Sequence, residues 1–238
     1  MNWFRRWFRR SPVLSAEELS AIAAYQALPG PPSAQALQDP RFVVLDVETS
    51  GLNPYRDRLL SIGAIAVHNG TIHVRDAFEV VLRQDVASDH QNILVHGIDG
   101  TAQLSGRDAR AALLDFIGYA GKAPVVGYHV DFDRITIERA VQRTFGIELL
   151  NDWVDLARIM PALFPDQASR GDGLDYWLSA FSIENFARHD AIADALAAAQ
   201  LLLVALSQAA AAGVANYGAL KRLDDECHWL ARNQPTLR

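Results

Sequence analysis

One run of residues constrains this chain more than any other: Phe42-Val43-Val44-Leu45-Asp46-Val47-Glu48. It is apolar and β-branched, as in a central strand buried on both faces, yet two carboxylates are set into its end. Side chains alternate along a strand, so Asp46 and Glu48, two apart, point to the same face. Like charges at a buried strand end raise each other's pKa unless a cation sits between them. The plain alternative is a strand end whose acids reach solvent. Thr49-Ser50-Gly51 then supplies a turn, with hydroxyls and backbone N–H groups just past the carboxylates.

The pattern around this strand implies an α/β domain. Leu59–Val67 and Thr71–Leu82 read as strands joined by Asn69-Gly70, a strong hairpin signal. Arg107–Tyr119 reads as a helix, Pro124–Tyr128 as a short buried strand, and Ile135–Phe145 as a helix stopped by Gly146. An opening meander followed by alternating elements predicts a mixed sheet flanked by helices. From Ala195 to Leu220 there is no charged residue, long enough to suggest a membrane span. Alanine dominates it, with polar residues and two glycines interrupting, so a buried helix ending near Gly213 is the better reading. A stripe of Leu220, Leu223, Cys227 and Leu230 predicts a further helix packed on the domain or on a partner.

Towards the N-terminus, Ser15 and Glu18 form a capping box opening a short helix, with Leu19, Ile22, Ala23 and Gln26 at helical spacing. Pro29-Gly30-Pro31-Pro32-Ser33 marks a linker. The expected organisation is an N-terminal extension over residues 1–38, a main domain over 39–212 and a helical tail over 213–238. The extension begins with a tandem repeat, Trp3-Phe4-Arg5-Arg6-Trp7-Phe8-Arg9-Arg10, whose aromatics and arginines take opposite sides at helical spacing. It suits a peripheral contact with an anionic membrane surface or DNA, or only a solubilising terminus. The acids of Ser15-Ala16-Glu17-Glu18 are incompatible with a signal peptide.

The 238 residues carry 22 basic and 28 acidic groups, a net −6. Four arginines lie in the first ten residues, so the other 228 hold 18 basic against 28 acidic groups, a net −10. Such a body does not hold nucleic acid by a broad basic face. The single cysteine, Cys227, excludes an internal disulfide and a cysteine-rich zinc site, and fits a cytoplasmic location.

Two more segments carry acids. Gly127-Tyr128-His129-Val130-Asp131-Phe132-Asp133 leads from the second buried strand into a helix, and one of its aspartates could be a plain N-cap. His189-Asp190-Ala191-Ile192-Ala193-Asp194 opens the alanine-rich helix. Five residues of helix turn through about 500°. His189 and Asp194 can therefore converge only if His189 lies on the preceding loop, with Asp190 near the cap. A buried Asp194 without a partner would cost several kcal/mol, a cost that a metal removes.

Asp46 through Gly51, Gly127 through Asp133 and His189 through Asp194 together resemble the three motifs of the DEDDh 3′–5′ exonucleases, a group that includes proofreading subunits of bacterial replicative polymerases. The resemblance covers about residues 41–212, with Val95-His96-Gly97-Ile98 similar to a segment between the first two motifs. It implies a ribonuclease H-like fold and two divalent ions, Mg²⁺ or Mn²⁺, on Asp46, Glu48, Asp133 and Asp194. His189 becomes the general base of a two-metal hydrolysis, and Thr49, Ser50, His96 and Phe132 the contacts to the terminal nucleotide. The second motif departs from the family at Tyr128 and His129. The implied substrate is the 3′ end of single-stranded DNA, with RNA as the alternative within the family. The non-enzymatic alternative is a nucleic-acid-binding or recruitment module, in which the terminal extensions contact a polymerase or other protein.

Overall fold

A computed structural model describes residues 12–233; the Trp-Phe-Arg-Arg repeat lies outside them. The helices are α1 (Ala16–Ala27), α2 (His90–His96), α3 (Gly100–Ser105), α4 (Ala109–Ala120), α5 (Asp131–Phe145), α6 (Leu156–Leu163), α7 (Pro165–Ala168), α8 (Leu174–Ala180), α9 (Ala191–Ala211) and α10 (Tyr217–Asn233). The strands are β1 (Phe42–Thr49), β2 (Leu59–His68), β3 (Thr71–Val81), β4 (Val125–Gly127) and β5 (Trp153–Asp155). They form one mixed sheet in the order β3-β2-β1-β4-β5, antiparallel across β1–β2–β3 and parallel across β1–β4–β5. The α/β mixed sheet flanked by helices is the architecture expected from the sequence.

The meander follows from its turn. Asn69 and Gly70 both take positive φ (51° and 66°), the backbone that a two-residue hairpin needs. β1, in the centre, is buried along its length, with Asp46 only partly exposed. Alternate residues serve two cores. Phe42 and Val44 face the side covered by α6, α8 and α9, where Trp177 is fully buried. Val43, Leu45 and Val47 face α1, α4 and α5. Asp46 and Glu48 share the parity of Phe42 and Val44, so they point to the α9 side.

The alanines of α9 let it lie flat on that face: Ala195, Ala199, Ala205 and Ala209 are fully buried. By length and a mean hydropathy of 1.6, α9 could cross a membrane, but it packs on β1 and β2 instead. Three features differ from the reading of the sequence: one boundary, one element and one buried face. α5 starts at Asp131, four residues early, because only Tyr128, His129 and Val130 separate the end of β4 from the helix. β5, three residues long, has too little sequence to show a period. In α1 the buried residues are Ile22 and Tyr25, whereas Leu19 is exposed, since the helix rolls its Tyr25 side onto the domain.

α1 is bound to the domain by a charged contact. Arg110 donates to both Glu18 carboxylate oxygens, at 2.8 and 2.9 Å, while Glu18 completes the capping box with Ser15. The described part of the extension thus shares the domain's core. The Arg110 hydrogen bonds, then the Ser15 N–H, hold the Glu18 carboxyl down at about 2. A depressed carboxyl stabilises the fold above its unfolded value, about 4.3, and loses that stabilisation as pH falls towards 2. Glu18→Gln should therefore melt below wild type at pH 7, with the gap closing across that window in a series of thermal melts.

Candidate active site

The site forms where β1 and β4 part. Their parallel pairing ends at Val44 and Val126, and the chain leaves β4 at Gly127, so β1 runs on alone on that side. A crevice at the carboxyl ends of parallel strands is where α/β sheets place ligands. The N–H of Val47, which has lost its strand partner, is taken by the carboxylate of Asp133 at 3.1 Å. Asp133 lies in the first turn of α5 and is 5% exposed. It thereby stands beside the strand that carries Asp46 and Glu48.

The approach to α5 is held by Asp155 at the end of β5. Its carboxylate accepts from the N–H of His129 at 2.9 Å, and His129 takes a positive φ of 58°. Asp155 also caps α6, whose Arg158 links it to Asp224 of α10. The C-terminal helix is thus tied to the loop that delivers Asp133.

The fourth acid comes from α9. Asp190 is its N-cap, accepting from Ala193 N at 3.0 Å, and His189 precedes it on the loop at a φ of 62°. This is the arrangement that lets His189 approach Asp194. Asp194 is 3% exposed; its Oδ2 accepts from the His189 N–H at 2.9 Å, and its Oδ1 from the Asn185 amide and from Arg188 Nη1 at 2.5 Å. Ligand-capable atoms of Glu48, His189 and Asp194 lie within 4.8 Å of one another. With Asp46, Tyr128, His129 and Arg188 they line a cleft of about 300 Å³.

The electrostatics are those of a site short of positive charge. Burial, then the Asp194 carboxylate, pushes Asp46 up to about 8, with Arg188 opposing. Burial, then Asp46, pushes Glu48 up to about 9. Asp133 is raised well above the carboxylate range by burial and by Asp46. Carboxylates so crowded fit a hard divalent cation, which would repay their desolvation.

The other residues singled out in the sequence are placed differently. Thr49 donates its hydroxyl to Gly51 O at 2.6 Å, and Ser50 Oγ accepts from Arg58 N at 2.9 Å, so both brace the β1–β2 turn. His96 is 5% exposed: its Nδ1 accepts from Ile98 N at 3.0 Å and its Nε2 meets Asn92 Oδ1 at 2.8 Å. Asn92 in turn donates to Thr49 O at 3.1 Å, so His96 braces the same turn. Phe132, in the first turn of α5, is half-buried against the core. These four are not brought into the cleft with the acids. Tyr128 is, and burial pushes its phenol up to about 12, so that it stays a hydrogen-bond donor.

Four residues of the site escaped the sequence reading: Arg188, Asn185, Asp155 and Gly63. Gly63 lies opposite Asp46 on β2. A Cβ there would stand 2.3 Å from backbone atoms of Ala191 and Ile192, so only glycine lets the start of α9 reach the sheet. A lone glycine inside a strand pattern is the signal that could have found it.

Known proteins share this fold. DNA polymerase III PolC-type from Thermotoga maritima is 23% identical over 193 residues, covering 81% of this chain and 14% of the polymerase. The Staphylococcus aureus counterpart is 26% identical over 196 residues, covering 82% and 13%. The chain therefore spans a small part of the curated relatives it matches. Among solved structures, E. coli Exonuclease I in complex with a dA16 oligonucleotide matches with a TM-score of 0.64 at 19% identity, covering 82% of this chain and 44% of that one. Exonuclease X in complex with 5′ overhanging duplex DNA matches with 0.57 at 17%, covering 78% and 99%. They share the ribonuclease H-like fold expected from the motifs. The family model RNase_T, described as Exonuclease, matches residues 43–202, that is 160 of 238, and spans every acid of the cleft: the chain belongs to this exonuclease family.

Proposed function

We propose that the protein is a DEDDh-type 3′–5′ exonuclease that releases nucleoside 5′-monophosphates from the 3′ end of single-stranded DNA. The observation that carries this reading is the meeting of Asp46, Glu48 and Asp194 in one cleft at the end of β1, with Asp133, bonded to the Val47 N–H, buried beside Asp46. DNA is favoured because the relatives are DNA polymerases and the neighbour Exonuclease I is bound to DNA oligonucleotides.

The donor set is all oxygen and no sulfur, which suits Mg²⁺ or Mn²⁺. Two such ions on the four acids would supply the positive charge that meets the scissile phosphate and lower the pKa of a bound water. The chain's own residues do the rest. His189, exposed on the rim, accepts the proton of the attacking water at a ring nitrogen. The bond from its backbone N–H to Asp194 holds the His189 main chain beside the acids. A cleft of about 300 Å³ admits a chain end rather than a continuous duplex, which is why an acidic body is no obstacle.

The test is loss of a 3′ label from DNA and RNA oligonucleotides of one sequence, in Mg²⁺ or Mn²⁺. Wild type should release label from DNA faster, and a chelator should stop it. Asp46→Ala should lower the rate at least about 10³-fold. His189→Ala should lower it about 10²–10⁴-fold, with little change in metal affinity. Release that persists in chelator, or that is equal in wild type and Asp46→Ala, rejects the proposal; faster release from RNA reassigns the substrate.

A further inference from the structure

Arg188 is the one cation lining the cleft among the described residues, and the reaction outlined above gives it no role. Its guanidinium bridges two carboxylates of opposite character. Nη1 lies 2.5 Å from Oδ1 of the buried Asp194, and Nε lies 2.8 Å from Oδ1 of Asp175 on α8. The Asp194 side chain is 4% exposed and that of Asp175 73%. One end of the bridge is inside the acidic cluster and the other is in solvent.

We propose that Arg188 is an internal stand-in for the metal: it neutralises the acidic cluster in the unloaded protein and is displaced from Asp194 when a divalent cation binds, remaining held by Asp175. The inference rests on the metal-dependent reading above. Three observations drive it. Asp194 Oδ1 cannot face both a guanidinium and a divalent ion without placing two cations against each other. An arginine cannot resolve that conflict by losing its proton, so it must move. Asp175 supplies the place to which it can move, since the Nε contact is independent of the Nη1 contact. Asn185 and the His189 N–H continue to hold Asp194 while Arg188 swings out.

Two substitutions should act in opposite directions. Arg188→Gln removes the competitor, so Mn²⁺ should bind about tenfold or more tighter in calorimetric titration of the full chain at fixed pH. The same variant should melt below wild type in chelator and close the gap in saturating Mn²⁺. Asp175→Asn removes the outer anchor and leaves Arg188 on Asp194, so Mn²⁺ should bind several-fold weaker. Asp175 lies on the surface, so this variant folds even if Arg188→Gln does not. In the Arg188→Gln background, Asp175→Asn should have almost no effect, because its influence runs through Arg188. Equal Mn²⁺ affinities in wild type and Arg188→Gln overturn the proposal, as does an Asp175→Asn effect that survives without Arg188. A wild type that binds no Mn²⁺ overturns the metal-dependent reading as well, which tells the two failures apart.

Discussion

Gly63→Ala should cost the protein most of its activity and a measurable part of its stability, although residue 63 does not line the cleft. The added Cβ would lie 2.3 Å from the Ala191 carbonyl carbon and the Ile192 nitrogen, and 2.5 Å from the Ala191 oxygen. These are backbone atoms of the first turn of α9, so no rotamer relieves the clash and the helix start must lift by about 1 Å. Asp194 sits in that same turn, and Asp46 lies directly across the ladder from Gly63. Lifting the turn therefore separates the two acids whose convergence makes the site. A displacement near 1 Å at a reacting centre costs about 10²-fold in rate. Overpacking at such a site costs about 1–3 kcal/mol. Gly118→Ala is the control: it is a helical glycine of α4 with nothing near its would-be Cβ, and it should stabilise by about 0.5–1 kcal/mol with activity unchanged. Denaturant melts and 3′-label release measure both quantities. A Gly63→Ala protein with wild-type midpoint and rate would show that α9 does not depend on this close approach.

The same glycine shows what the sequence could and could not reveal. Strand period alone places Asp46 and Glu48 on one face, and helix geometry alone places His189 on the loop before α9; both are properties of a few adjacent residues. Gly63 matters only because a segment 128 residues later lies on it, and no local pattern reports such an approach. Arg188 and Asn185 read as loop polarity until the fold brings their side chains onto Asp194. His96 is a different case: a histidine in a motif-like segment invites a ligand contact, and the fold sets its ring nitrogens against Asn92 and Ile98 at the end of α2. The start of α5 has a related cause. Asp131 looks like a cap, yet Arg158 of α6 claims its carboxylate, and Val130 precedes the helix without a side-chain cap. Contacts between neighbours in sequence are legible; the partner chosen across the fold is not.

Asp46→Asn should raise the stability of the metal-free protein while abolishing hydrolysis. In chelator, Asp46 sits at about 8, raised first by burial and then by Asp194, against about 3.9 in an unfolded chain. Between those values the folded state binds more protons than the unfolded state, so stability falls as pH rises from about 4 towards 8. Glu48, at about 9, extends the decline in the same direction. Asparagine removes one of the like charges at similar volume. The variant should therefore show a shallower decline, and near pH 8 it should exceed wild type by a few kcal/mol, on the order of 3. Metal reverses the ranking. Saturating Mn²⁺ adds binding energy to the wild-type fold, where it offsets the same repulsion, and adds less to a variant with one ligand replaced. Denaturant unfolding at pH 5 and pH 8, with chelator and with Mn²⁺, gives the four values needed. If Asp46→Asn is less stable than wild type in chelator at pH 8, the carboxylate is satisfied without a metal, and the acids of the cleft are not held in tension for one.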